Sequence, residues 1–349
     1  VTQINRIIIF YFTGTGNALA AAKWISQKAS SKEIETQIVN IADKPNLKDI
    51  NYDENTLLGF CFPTHGFNAP PIVIEFLRNF PATNNKTRFF SLNTRAGMKL
   101  SKLFTPGVSG LAFAVPLSIL ASKGYKCVGY RPLDMPSNWI SIHPGLKAKI
   151  IASIFNRCEK ITNDFISKIL EGKKSFNRLY EIPIDILVIP IAFGYFFFGR
   201  FFLSKTFIAT SDCNSCGICE NECPVQAIEF KNGLPFWTYK CESCMHCMNK
   251  CPQRAIETPH GFTALAWWLV FGILPAIFLM VFNITELQQS TINKLIVGIL
   301  TYVAAWFIIV ILYKILHRMM KIKSINKIIA YTSLTKYKFW RRYYAPKKY

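Results

Sequence analysis

Along residues 1–172, short unbroken apolar runs alternate with longer amphipathic stretches. The runs Ile7 to Phe12, Thr36 to Ile41, Thr56 to Phe62, Arg88 to Leu92 and Lys126 to Tyr130 read as strands. Between them Ala18 to Ser30, Pro71 to Phe80, Leu111 to Lys123 and Pro144 to Glu171 have helical periodicity. Apolar strands separated by helices predict a parallel sheet covered on both faces, here a doubly wound α/β domain of five strands.

The pattern changes after residue 172. Residues 173–208 form a connector in which Ile186 to Gly199 is almost wholly apolar, punctuated by Pro190 and Gly194, with Asp185 at its edge. The run is shorter than the roughly 20 residues that cross hydrocarbon, so it is expected between domains or along a membrane surface. Residues 209–260 contain a repeat: Cys213, Cys216, Cys219 and Cys223 recur 28 residues later as Cys241, Cys244, Cys247 and Cys251. Beyond it, Phe262 to Phe282 and Leu295 to Tyr313 carry no charge and are long enough to span, so residues 261–316 read as a two-helix transmembrane hairpin. The alternative, two buried core helices, has only the basic tail 317–349 to cover them.

Composition agrees with a soluble part joined to a few spans: 51% of the 349 residues are hydrophobic and mean hydropathy is +0.22. Net charge is +21, and residues 314–349 hold eleven Lys or Arg with no Asp or Glu. Following a span, that charge points to lipid headgroups; no nucleic-acid module accompanies it. The basic flanks (Lys240, Lys250 and Arg254 before the hairpin, the tail after it) predict a cytoplasmic-membrane protein with its domains and tail in the cytoplasm and the loop Asn283 to Lys294 outside. The first residues lack the pattern of a secretory signal.

Eight of the eleven cysteines fall within the repeat, which argues for metal rather than disulfides. Each copy reads C-x2-C-x2-C-x3-C-P, the spacing in which the fourth cysteine ligates the other copy's cluster. One [4Fe–4S] cluster is then expected on Cys213, Cys216, Cys219 and Cys251, the second on Cys241, Cys244, Cys247 and Cys223. Zinc usually takes two separated C-x2-C pairs instead. The region resembles the bacterial two-[4Fe–4S] ferredoxins over its whole length. Cys61, Cys127 and Cys158 fall in apolar elements and read as buried small hydrophobes.

A second motif, Thr13-Gly14-Thr15-Gly16-Asn17-Ala18, follows the first strand and opens the first helix. Glycines allow a tight turn, and the free amides of a helix N-terminus bind phosphate. It has neither the lysine of a P-loop nor a G-x-G-x-x-G pattern. Here the chain resembles the flavodoxins, which hold the phosphate of FMN in such a loop; Ala18 stands where that family usually has a hydroxyl. The resemblance implies that two more loops flank the flavin ring, Pro63-Thr64-His65-Gly66-Phe67 and Asn93-Thr94-Arg95-Ala96-Gly97. His65 or Phe67 could stack on the ring, or His65 could be a satisfied loop histidine. Arg95 could stabilise a reduced, anionic flavin or lie solvated at the surface.

Taken together with Met135-Pro136-Ser137-Asn138-Trp139, these segments resemble the family of flavodoxin–ferredoxin fusion proteins across residues 1–258, with the hairpin added. The resemblance implies one FMN, two clusters and electron transfer; the hairpin would hold that relay beside a membrane-associated redox protein or complex. Two rivals share the same features: a flavin-dependent reductase of a quinone or lipid, and a subunit of a larger membrane redox complex.

Overall fold

The computed structural model describes residues 3–177, 179–281 and 291–347. The expected loop Asn283 to Lys294 lies, up to residue 290, outside the described residues. The chain forms two compact units. The first comprises residues 3–200, 242–249 and 341–347, the second residues 201–241 and 250–340. These boundaries depart from the expected ones, because part of the cysteine repeat and the end of the basic tail belong to the first unit.

In the first unit, β1 (Arg6–Tyr11), α1 (Asn17–Ser30), β2 (Glu35–Asn40), β3 (Thr56–Pro63), α2 (Pro71–Asn79) and β4 (Arg88–Leu100) follow in order. Then come β5 (Leu103–Thr105), α3 (Leu111–Ser122), β6 (Lys126–Pro136), α4 (Ala148–Leu170) and β7 (Ser175–Phe176). The sheet order is β2-β1-β3-β4-β6-β7, parallel throughout this path, with β5 folded back antiparallel on β4. This is the doubly wound flavodoxin-like order expected from the sequence. Ile7, Ile8, Ile9, Phe10, Leu57, Leu58 and Phe60 are fully buried, since both sheet faces are covered. The order in which strands are added reverses between β1 and β3, and ligands of open α/β sheets bind beyond the strand C-termini at such a switch point.

Two strands run further than expected. β4 continues past Leu92 and β6 past Tyr130, pairing Arg95 with Asp134 and Gly97 with Pro136. The polar run Asn93 to Gly97 is therefore largely strand, because its charged member finds a partner directly across the ladder.

The connector folds as α5 (Ile182–Leu187), α6 (Ile189–Gly194), a π-helical turn Tyr195–Gly199 and α7 (Arg200–Ser204). Asp185 pins it to the sheet domain by accepting the amides of Ser109 (3.0 Å) and Gly110 (2.7 Å). Ile184, Ile186, Leu187 and Ile191 are exposed.

In the second unit, β8 (Ile208–Ala209), α8 (Ile218–Asn221), β9 (Ile228–Lys231) and β10 (Leu234–Trp237) precede α9 (His246–Lys250), which crosses from the first unit, and β11 (Ile256–Glu257). β9 and β10 form a hairpin closed by Asn232-Gly233, both at positive φ, the turn chemistry that matches strand twist. β11 pairs antiparallel with β8. The repeat is visible in the backbone: Ser215, Gly217 and Gln226 adopt positive φ, and so do Ser243, Met245 and Arg254, 28 residues on.

α10 (His260–Trp268), a π-helical segment Leu269–Ile273 and α11 (Leu274–Val281) form one apolar run, and α12 (Thr291–Met319) another. Pro275 has no amide to give the carbonyl four residues back, which accounts for the widened turn before it. His260–Ile277 and Leu295–Met319 are long and apolar enough to cross a membrane, with mean hydropathies of 1.5 and 2.8 and few buried residues. The basic tail is not a free extension. α13 (Lys323–Tyr331) packs Ile329 with Ile208, Leu316 and Met320, while Asn326 donates to the carbonyls of Ala209 and Met320 and accepts from the Ser211 amide.

Candidate functional site

The first unit contains a cavity of about 180 Å³ at the C-terminal ends of β1, β3 and β4. The sequence-predicted residues Thr13, Gly14, Thr15, Asn17, Pro63, Thr64, His65, Gly66, Phe67, Thr94, Arg95 and Ala96 all border it. Gly16, Ala18, Asn93 and Gly97 do not. Gly16 faces Ala345, Ala18 is buried in the α1 packing face, Asn93 is tied to Thr64, Ser109 and Tyr130, and Gly97 backs onto Asp134.

The turn before α1 is held by its own hydroxyls and amides. Thr13 Oγ1 accepts the Gly16 amide at 2.9 Å, and Gly16 (φ 96°) occupies the left-handed region that a side chain would strain. Thr15 Oγ1 accepts from Asn138 Nδ2 at 2.7 Å, and Asn17 Nδ2 donates to the Pro136 carbonyl at 2.9 Å. α1 begins with no acidic residue in its first turn, so its first amides and the positive end of its dipole face an anion site without a competing carboxylate. The chain's end covers part of this turn: Ala345 donates its amide to the Thr15 carbonyl (2.8 Å), and the Tyr343 hydroxyl donates to Asn17 Oδ1.

The second loop is a tight hairpin. His65 and Asn68 exchange backbone hydrogen bonds of 2.8 and 3.0 Å, with Gly66 and Phe67 both at positive φ. Burial of the His65 imidazole pushes its pKa down to about 4, so the ring is neutral at pH 7. Its Nδ1 is buried without a hydrogen-bond partner. The orphaned atom suits a polar ligand.

Arg95 is buried, not solvated. Nε meets Asp134 Oδ1 at 2.7 Å, Nη1 meets Glu181 Oε2 at 2.6 Å, and Nη2 has no partner. Two carboxylates compensate its charge, so its unpartnered donor, rather than a net positive field, is what it offers a flavin.

Trp139, Ser137, Asn138 and Ser243 also line the cavity and were not singled out as ligand contacts. Trp139 adds a second aromatic wall beside Phe67, packed edge-on against Tyr195 at 5.5 Å. Its signal lay in Met135 to Trp139, which spans the C-terminal end of the last long strand. Ser243 had no such signal, because it belongs to the cysteine repeat.

The contact between that repeat and the turn before α1 is intimate. A Cβ on Gly14 would stand 2.3 Å from the Cys244 carbonyl oxygen, and His246 bonds the Gly14 carbonyl through Nδ1 at 2.6 Å. A carbonyl only accepts, so Nδ1 carries the proton. The donor set fits FMN: free helix-terminal amides for a phosphate, aromatic walls for a ring, and two orphaned side-chain nitrogens for its polar edge. The enclosed volume is below the roughly 300–1,000 Å³ of typical ligand pockets, so FMN would be held partly outside it.

In the second unit, Cys213, Cys216, Cys219 and Cys251 border one small cavity. As free thiols, Cys219 and Cys213 oppose ionisation. Burial pushes Cys219 up to about 12, with the charges of Cys213, Cys251 and Cys216 adding to it, and Cys213 is raised by burial and by Cys251 and Cys216. Holding these cysteines together as thiolates would take a cationic group among them, which the iron of an iron–sulfur cluster would supply. The sulfurs of Cys223 and Cys251 each accept an amide four residues on, from Ala227 (3.2 Å) and Ala255 (3.4 Å). Among the described residues no three of His, Cys, Asp and Glu converge on a point that would hold a single metal ion. A cubane spreads its ligands over four irons and needs no such point. Of the other four cysteines, Cys244 and Cys247 belong to the first unit and Cys241 and Cys223 to the second.

The family model of the 4Fe–4S dicluster domain matches residues 212–256. No curated protein matches the chain at a significant level. Among solved structures it is similar to flavodoxin 1 from Bacillus cereus, with 14% identity over 46% of this chain and 97% of that one and a TM-score of 0.32. The flavodoxin of Fusobacterium nucleatum bound to flavin mononucleotide is 19% identical, over 48% of this chain and 99% of that one, with a TM-score of 0.33. At these values the flavodoxin-like fold rests on the strand order of the sheet itself, and residues 212–256 are similar to a 4Fe–4S dicluster domain.

Proposed function

We propose that this chain is a membrane-anchored electron-transfer protein that passes low-potential electrons between FMN, two [4Fe–4S] clusters and a membrane-associated redox partner. The observation that carries the reading is the shared wall: Ser243, beside Cys244, lines the candidate flavin cavity, and Gly14 has no room for a side chain because the Cys244 carbonyl occupies it. A cluster ligand and a flavin phosphate loop built against each other favour electron exchange between the two groups.

FMN would be held by the turn Thr13 to Asn17, with Phe67 and Trp139 as ring walls and His65 and Arg95 at its polar edge. Cys213, Cys216, Cys219 and Cys251 would hold one cluster, Cys241, Cys244, Cys247 and Cys223 the other. Flavin exchanges electrons singly or in pairs and each cluster exchanges one, so the set can convert between the two regimes. The protein supplies burial, N–H···S bonds to Cys223 and Cys251, and close approach. The two apolar helices and the exposed aliphatic face of the connector support attachment to a bilayer.

Purification without oxygen should return about eight iron and eight sulfide per chain, from two four-cysteine cubanes, and one acid-extractable FMN. Stoichiometric zinc with no iron, or a protein that neither contains nor binds FMN, would refute the corresponding half of the proposal.

A further inference from the structure

A cavity of about 440 Å³ in the second unit has walls from both candidate spans, among them Phe262, Val270, Leu312 and Leu316. Its rim residues Leu265, Leu269 and Ile315 are well exposed, so it opens sideways onto the apolar helix faces rather than toward the cysteine loops. What enters from there is soluble in hydrocarbon. One corner is polar. Lys205, Thr206 and Tyr313 meet there, with the Lys205 ammonium 4.8 Å from the Tyr313 ring centroid and 4.6 Å from that of Tyr239. The ammonium carries three donors, and one goes to the Trp237 carbonyl. The Tyr313 hydroxyl accepts the Trp237 amide at 3.3 Å and donates to the Phe207 carbonyl at 3.5 Å. Tyr239, whose ring packs against the Lys205 ammonium, stands two residues before Cys241, one of the expected cluster ligands, so the polar corner adjoins the cysteine repeat in the chain.

We propose that this cavity binds an isoprenoid quinone, with its ring at Lys205 and Tyr313 and its chain along the apolar walls. The volume lies within the range of small-molecule sites, and an apolar body with a carbonyl-bearing head matches apolar walls with one cationic, hydroxyl-bearing corner. A phospholipid would satisfy the walls, but it would put an anionic headgroup in a recess that offers one partly satisfied cation. Proximity to Cys241 gives the quinone a redox purpose that a structural lipid lacks. Converting quinone to quinol takes two electrons and two protons; two iron–sulfur clusters held by the two cysteine sets would each supply one electron, and water would supply the protons. The assignment rests on the electron-transfer reading above.

The test uses the full chain, purified anaerobically into phospholipid nanodiscs, and a photoreactive azido-naphthoquinone with a prenyl chain. Peptides covering Leu265 to Ile273 or Leu312 to Leu316 should be labelled saturably. An unlabelled prenyl-naphthoquinone should reduce that labelling at least tenfold, and added phospholipid should not. Ala266→Trp, which fills the cavity from a wall, should cut labelling tenfold, and Lys205→Met severalfold, both at unchanged iron content. No labelling of these peptides, equal displacement by phospholipid, or indifference to Ala266→Trp would overturn the quinone site. Iron near zero with labelling intact would keep the site and overturn the relay instead.

Discussion

Replacing Gly14 with alanine separates this account from one in which the flavodoxin-like and cysteine-rich segments merely share a chain. The new Cβ would lie 2.3 Å from the Cys244 carbonyl oxygen and 3.0 Å from its Cβ, whereas ordinary contact begins near 3.4 Å. One of the two backbones must therefore retreat by about 1 Å, since 3.4 minus 2.3 is 1.1. Overpacking of this kind costs about 1–3 kcal/mol, which corresponds to roughly a 5- to 150-fold loss of FMN affinity if it falls on the bound state. The consequence peculiar to this structure is that the strain also falls on a cluster ligand, and on the bond from His246 to Gly14, 232 residues apart in sequence. Gly14→Ala should weaken FMN binding and shift the electron paramagnetic resonance of the reduced cluster that includes Cys244. Gly16→Ala is the control. Its Cβ meets the Ala345 side chain and its φ of 96° is strained, so FMN binding should fall while the cluster signal stays unchanged. If Gly14→Ala leaves the cluster spectrum as it was, or Gly16→Ala alters it equally, the shared wall has no role in electron exchange.

Three further outcomes are expected. Cys251→Ser should remove the cluster on Cys213, Cys216 and Cys219 and about half the iron, because all four cysteines border one cavity; loss of the other cluster's signal instead would refute crossed ligation. His65, held near 4 by burial against about 6.5 unfolded, takes up its proton in the unfolded state first, so its contribution to stability is complete above pH 6.5 and declines toward pH 4. Between pH 7 and 5 the wild type should lose about 2 kcal/mol more than His65→Asn in urea unfolding of the first unit, and parallel pH curves would contradict the burial. Cysteines at Ser290 and at the exposed Ser324 should react oppositely with an impermeant thiol reagent in intact cells, the first labelled and the second protected. Protection of both would mean that the hairpin does not cross.

Local patterns made much of this legible. Apolar strands alternating with helices specify the doubly wound sheet, and a doubled four-cysteine spacing marks the 4Fe–4S dicluster region, because both are written in short-range periodicity. Contacts between distant segments were not. Arg95 could not be known to be buried without Asp134 across the ladder and Glu181 from the connector. A glycine in a phosphate loop is expected for the ligand's sake, yet Gly14 is also required by the Cys244 carbonyl. The basic tail read as a lipid-facing extension, since charge alone cannot reveal that Tyr343 bonds Asn17 and that Asn326 caps the strand at Ala209. Trp139 is a cavity wall that the sequence does not reveal, because a strand end is a ligand contact only when its neighbours in the sheet are known.

The central claim is that one chain carries a flavin and two clusters that exchange electrons, and a coulometric titration tests it most directly. Oxygen-free protein titrated with a low-potential reductant should accept about four electrons per chain, two at FMN and one at each cluster, with the flavin and iron–sulfur bands bleaching in redistributing proportions as electrons equilibrate. An endpoint at two electrons, with either set of bands absent or unresponsive, would contradict the account.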